Sequence, residues 1–145
     1  MLTDAQMRRN DRNLETLKPD VRELARRHLG LCAGEGIDLL IVQAYRGMEQ
    51  QAALYAKGRS ATGKAVTNAR PGYSWHNFRR AYDVAVIEGG KALWDGPKYA
   101  RAGAIGKKLG LVWGGDFRSV RGDLGHFEYH PGLTLAQARE QSGIT

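Results

Sequence analysis

Four histidines are the scarce chemical resource of this 145-residue chain: His28, His76, His126 and His130. His76 stands in the stretch SWHNFRRAYDVAV, seven positions before Asp83, and Asp83 itself interrupts an apolar run from Ala81 to Val86. A catalytic zinc site usually takes three ligands from His, Asp and Glu and leaves one position open for water. In an extended segment Asp83 points opposite to Tyr82 and Val84. A carboxylate turned toward a core must be paired or metal-bound, because an unpaired buried charge is strongly unfavourable. Two readings follow: Asp83 and His76 are two parts of a metal site, or Asp83 forms an ion pair with Arg79 or Arg80.

A second cluster is RGDLGHFEYH. Asp123 and His126 are three apart, with Gly122 and Gly125 leaving the backbone free to bend them toward one point. His126, Glu128 and His130 share strand parity, so a rival metal set can be drawn from them. Pro131 puts His130 at a strand end, where a surface role is the alternative. Glu128 either supports a ligand or stands exposed on its strand. His28 lies among arginines in a helical pattern and is read as a surface or structural residue.

These residues need elements to position them. LKPDVRELARRHLGLCAGEG reads as a helix, with Pro19 at its start, one face marked by Val21, Leu24, Ala25, Leu29 and Cys32, and Gly34 and Gly36 as its stop. DLLIVQAYR is a short, β-branched buried strand, and GMEQQAALYAKG has helical composition ending at Gly58. Residues 59–73 are small and polar and form a loop of a length that commonly carries function. AYDVAVIEGGKALW reads as a hairpin turning at Gly89-Gly90. PKYARAGAIGKKLGL is a helix starting near Pro97, LVWGGDF and GHFEY are short strands, and Thr134 caps a last helix, LAQAREQ. With helices placed first and strands in the second half, the expected class is α+β with a small antiparallel sheet. No repeat or linker divides the chain, so residues 1–145 are expected to form one domain.

The bulk properties narrow the class. At 42% hydrophobic and 26% charged residues the composition is that of a globular protein. No apolar run approaches the roughly 20 residues of a membrane span. The polar N-terminus, MLTDAQMRRNDRNLE, lacks the apolar core of a signal peptide. One cysteine, Cys32, excludes an intramolecular disulfide framework and suits a reducing cytoplasm. With 22 Lys and Arg against 15 Asp and Glu, the net charge is +7. That bias suits a polyanionic partner, a nucleic acid or an anionic envelope surface, or serves solubility alone.

Together, SWHNFRRAYDVAV and WGGDFRSVRGDLGHFEYH resemble the VanY-type zinc peptidases of peptidoglycan. The nearest likeness is to the L-alanyl-D-glutamate endopeptidases of phage endolysins and bacterial wall hydrolases. The shared pattern is Ser74, His76 and Asp83, then Asp123, His126 and Phe127. Upstream, AYRGMEQQAALYAKGR is similar to the family's Tyr-Arg segment, whose arginine faces substrate. The likeness runs from about Asp38 to Tyr129. It implies a Hedgehog/DD-peptidase-like fold, zinc held by His76, Asp83 and His126, Asp123 as catalytic base, and Arg46 as the substrate-facing cation. One departure stands out: Arg79 occupies a position where the family usually has glycine.

If the resemblance holds, zinc lowers the pKa of a water, Asp123 takes and returns a proton, and Arg46 stabilises the oxyanion. A loop arginine pairing with Glu49 is the other reading of Arg46. Ser74, Gln50, Trp113 and Glu128 are candidates to hold ligands in place or touch substrate, with an ordinary turn serine the alternative for Ser74. Tyr73, Trp75, Trp94, Trp113 and Phe117 either line a peptide groove or pack in the core. The expected partners are a peptidoglycan stem peptide and an anionic envelope surface, with no nucleic acid, no stable membrane insertion and a monomeric state. The expected route is synthesis in the host cytoplasm and release to the wall, as for a phage lysin. Alternatives are a D-alanyl-D-alanine carboxypeptidase of the same family, a non-catalytic zinc-binding wall-recognition domain, a basic nucleic-acid-binding protein, and a metal-independent glycosidase with two opposed carboxylates.

Overall fold

The computed structural model of the protein describes residues 1–118 and 123–144. Its helices are α1 (Asp4–Glu15), α2 (Pro19–Gly34), α3 (Met48–Ala56), α4 (Pro97–Lys108) and α5 (Leu135–Gln141). Its strands are β1 (Asp38–Gln43), β2 (Ala81–Glu88), β3 (Lys91–Leu93), β4 (Val112–Trp113) and β5 (His126–Glu128). The sheet runs β1-β2-β5-β4, every pairing antiparallel, with β3 hydrogen-bonded to the far half of β2. The α+β class and antiparallel sheet expected from sequence are present. The expected strand DLLIVQAYR and the helices expected from Pro97 and after Thr134 are β1, α4 and α5, so helices and strands alternate more than a helices-first description suggests.

One face of the sheet carries the core. Tyr82, Val84 and Val86 of β2 pack with Leu39 and Ile41 of β1, Phe127 of β5, and Val21, Ala25 and Cys32 of α2. His28 falls on that same helix face and is fully buried. Its Nε2–H donates to the Ala102 carbonyl at 2.8 Å, and its Nδ1 accepts from the Tyr82 hydroxyl at 2.8 Å. It is structural, and burial pushes its pKa down despite the Ala102 bond.

The N-terminal segment, from which the sequence reading drew only the absence of a signal peptide, forms α1. Thr3 and Gln6 close a capping box at its start. The buried Asn10 donates to Leu39 O at 3.0 Å and accepts from Ile41 N at 2.7 Å, while Asn13 donates to Ile41 O at 3.0 Å. Side-chain amides thus satisfy the otherwise open edge of β1.

Candidate metal centre

The register of β2 against β5 sets the site. Asp83 lies directly opposite His126, as Tyr82 lies opposite Phe127. Directly paired residues share a face, so Asp83 and His126 project together on the side away from Tyr82 and the main core. The expectation that Asp83 faces a core is therefore corrected. It faces the floor of an open cleft, its side chain 22% exposed. The alternative ion pairs are also absent: Arg80 binds Asp20 at 3.1 Å, and Arg79 donates to Thr16 O.

His76 arrives from a short 3-10 helix, Trp75–Phe78, capped by Ser74, whose Oγ accepts from His76 N at 3.2 Å. Three bonds clamp this turn to the exit of β1. Arg46 N donates to His76 O at 3.0 Å, Asn77 Nδ2 to Arg46 O at 2.9 Å, and His76 Nδ1 to Ala44 O at 2.8 Å. Two glycines let the segment before β5 close in. A Cβ at Gly125 would meet Val84 O at 2.3 Å, and one at Gly114 would meet Asp123 O at 2.3 Å. Close approach, not bending freedom, is what Gly125 provides; Gly122 lies outside the described residues.

The result is convergence of lone pairs. His76 Nε2 is 3.2 Å and His126 Nδ1 2.9 Å from the same atom, Asp83 Oδ1. Ligand atoms of His76, Asp83 and His126 lie within 4.8 Å of one another. A carbonyl can only accept, so the His76 proton sits on Nδ1 and its Nε2 presents a lone pair to the carboxylate. His126 lies between two carboxylates, with Nε2 2.7 Å from Glu128 Oε1 and Nδ1 2.9 Å from Asp83 Oδ1, so a proton bridges it to each of them when no cation is present. Two imidazole nitrogens and a carboxylate oxygen converging on one point form a donor set that fits a metal ion, which would displace the proton on His126 Nδ1. Glu128 also binds His130, whose ring stacks on Trp75 at 3.9 Å between centroids. Glu128 and His130 thus lie behind His126 and do not form the rival metal set.

Charge follows the geometry. Burial raises the Asp83 carboxyl, but the neighbouring His76 and His126 outweigh it and hold it well below the usual carboxylate range. Burial lowers His126, yet Asp83 and Glu128 on its two sides lift it to about 10. Asp123 sits at the rim, half exposed, with Oδ2 4.0 Å from His126 Nδ1. Burial and the Asp83 charge push its pKa up.

Arg46 reaches into the same space, 3.8 Å from Asp83 Oδ2 and only 12% exposed. It does not pair with Glu49. Its Nη1 donates to Gln51 Oε1 at 3.0 Å, and Gln51 Nε2 donates to Ala69 O at 2.7 Å. Gln51 is fully buried and was missed from sequence; Gln50, the residue named instead, is exposed and bonds Gln43. Neighbours on a helix point about 100° apart, so only one of the two can face inward. Of the two roles expected for Trp113, the geometry favours support: its Nε1 donates to Leu124 O at 2.8 Å and its ring covers Gly103 and Gly115, so it holds the Asp123 segment from behind. The cleft, about 580 Å³, is lined by Arg46, residues 65–69, Tyr73, Ser74, Trp75 and Phe117 around the three candidate ligands. Tyr73, Trp75 and Phe117 thus line it, as expected for some of the aromatics.

A family profile described as D-alanyl-D-alanine carboxypeptidase of the M15 peptidases matches residues 67–129. The peptidoglycan L-alanyl-D-glutamate endopeptidase CwlK of Bacillus subtilis is 34% identical over 125 residues, 79% of this chain and 74% of that protein. The chain belongs to the M15 metallopeptidase family. An L-alanyl-D-glutamate peptidase of Listeria phage A118 is 31% identical over 72% of this chain, which spans 35% of that longer protein. The M15 fold is shared with the Serratia marcescens L-Ala D-Glu endopeptidase ChiX at a TM-score of 0.64 and 20% identity, covering 84% of this chain and 86% of that one.

Proposed function

We propose that this M15 chain is a zinc-dependent peptidoglycan hydrolase that cuts the L-alanyl-D-glutamate bond of the stem peptide. The observation that carries the reading is the convergence of two imidazole nitrogens on one carboxylate oxygen of Asp83, with a second carboxylate, Asp123, beside them. His76, Asp83 and His126 hold the metal. Zinc, when bound, supplies Lewis-acid polarisation of the scissile carbonyl and an acidified water. The chain's own groups do the rest. Asp123, its pKa raised, takes the proton of the attacking water and hands it to the leaving amine. Arg46, braced by Gln51, donates to the oxygen on which negative charge develops. Glu128 fixes the ring of His126, and Ser74 fixes the turn that carries His76.

The residues 1–145 act as one catalytic unit, and the +7 charge favours approach to an anionic envelope. The likeness to a phage peptidase supports the finer reading as an endolysin, made in the host cytoplasm and acting on the wall after release. Among the described residues no helix is long and apolar enough to cross a membrane.

Digestion of purified peptidoglycan followed by mass spectrometry tests the bond, because new N-terminal glutamate marks L-alanyl-D-glutamate cleavage. The family profile's description favours a second reading, D-alanyl-D-alanine carboxypeptidase, which would release free D-alanine instead. Asp123→Ala should lose about 10²–10⁴-fold in kcat with zinc still bound. EDTA should abolish the activity and zinc restore it. Hydrolysis that survives both treatments sinks the mechanism.

A further inference from the structure

Asp83 and Asp123 line two recesses, not one. Beyond the cleft that holds Arg46 lies a second recess of about 330 Å³, whose wall includes Val42, Leu124 and Trp94. On the site face of β2, the residues beyond Asp83 are Ala85 and Ile87, which cluster with Leu40 and Val42. Beside the two carboxylates, the wall of the recess is made by Val42, Val84, Tyr99 and Leu124 together with Trp94. Trp94 follows β3 directly and is 70% exposed. Its backbone is nonetheless fixed: Leu93 pairs with Val86, and the Tyr99 hydroxyl donates to Leu93 O. A large aromatic ring held in water on a rigid hairpin, beside a cleft, is an unsatisfied apolar surface.

The two recesses differ in charge. Among the described residues, Arg46 lines only the first, and no basic side chain lines the second. A stem peptide has the same asymmetry about its first bond. The D-glutamyl side carries carboxylates, whereas the L-alanyl side is uncharged and continues into an N-acetylated sugar of the glycan. We infer that the second recess is a subsite for that sugar-bearing side, with Trp94 stacking on the apolar C–H face of the pyranose ring. The carboxylate-bearing side then runs past Arg46. This rests on the function proposed above, and it makes Trp94 a specificity-determining residue.

The test compares two synthetic substrates, a muramyl stem peptide and the same peptide with an N-acetyl group in place of the sugar, in wild type, Trp94→Phe and Trp94→Ala. The preference for the sugar-bearing substrate, as a ratio of kcat/KM, should fall about tenfold in Trp94→Ala through KM, and less in Trp94→Phe. An unchanged ratio, or a loss through kcat alone, overturns the subsite while leaving the peptidase intact. Wild type that cuts neither substrate overturns the function and the subsite with it. Binding gives an independent readout. In zinc-loaded Asp123→Asn, the muramyl peptide should quench tryptophan fluorescence more than the sugar-free one. Adding Trp94→Phe should erase that difference, and its persistence refutes the stacking role.

Discussion

Arg79 allows a quantitative test of how the turn bearing His76 is held. It closes the 3-10 helix at φ 62°, ψ 33°, and is the one non-glycine residue with positive φ among the described residues. This left-handed conformation costs a side-chain-bearing residue about 1–2 kcal/mol. Two contacts offset the cost here. The guanidinium lies 3.9 Å from the Tyr45 ring centroid, worth about 0.5–1 kcal/mol at an exposed site. Its Nη1 donates to Thr16 O at 3.0 Å, worth about 0.5–1 kcal/mol at the surface. Arg79→Ala loses both contacts and keeps the strain, so it should be about 1–2 kcal/mol less stable than wild type. Arg79→Gly loses the same contacts but relieves the strain, less about 0.5–1 kcal/mol for the greater freedom of glycine in the unfolded chain. It should therefore exceed Arg79→Ala by about 0.5–1 kcal/mol, or roughly 2–4 °C per kcal/mol in Tm. Urea titrations with zinc fixed at saturation and a common m-value measure this. Alanine equal to or better than glycine would refute the backbone account, and two variants as stable as wild type would refute the contacts.

Three further expectations concern the supports of the site. Gln51→Ala should destabilise by about 2–4 kcal/mol, by leaving a cavity, a guanidinium and a carbonyl without their partner; kinetics should show kcat falling about tenfold or more as Arg46 loosens. Glu128→Gln keeps the shape but removes the charge behind His126, so zinc affinity, measured by competition with a chelator, should drop about 10–100-fold. His28 gives a pH dependence. Its folded pKa is depressed, so the unfolded chain binds the proton first as pH falls below about 6.5, and stability should decline there by at most about 1.4 kcal/mol per pH unit until the folded pKa is passed. Urea midpoints from pH 8 to 5 for wild type minus His28→Asn isolate that slope, and a flat difference refutes it.

How much of this was legible in the sequence depended on residue type. His76, Asp83, Asp123 and His126 stood out as candidates because few side chains can bind zinc or move a proton. Their spacing left Glu128 and His130 as a rival set, and it was the resemblance to the VanY-type peptidases that chose between them. The β2–β5 register then brings Asp83 and His126 together. The hairpin, α2, α4 and the capped α5 were legible because turn glycines, Pro19, Pro97 and Thr134 act locally. Gln51 was not legible, because its role depends on which way α3 turns, and the helix carries glutamine at both 50 and 51. Asn10 was hidden for a related reason. It looked like one polar residue among many in the N-terminal segment, and only the open edge of β1 gives its amide something to satisfy. The buried face of α2 was left open at one point: of the two roles read for His28, surface or structural, it takes the structural one, in the core.

The site and the fold constrain each other through β2. Tyr82, Val84 and Val86 face the core while Asp83, Ala85 and Ile87 face the other way. A slip of one residue against β1 and β5 would carry Asp83 into the packing around Tyr82 and bring the Tyr82 hydroxyl away from His28. It would bury a carboxylate among Ile41, Phe127 and Val21, where no cation could reach it, at a cost of several kcal/mol. The aspartate that seems an obstacle to a buried strand is thus a reason the strand has one register. The same register sets Asp83 opposite His126, so forming the sheet correctly and assembling two of the three candidate metal ligands are one event. His76 joins them only when the Trp75–Phe78 turn docks on the exit of β1, and Arg79 closes that turn.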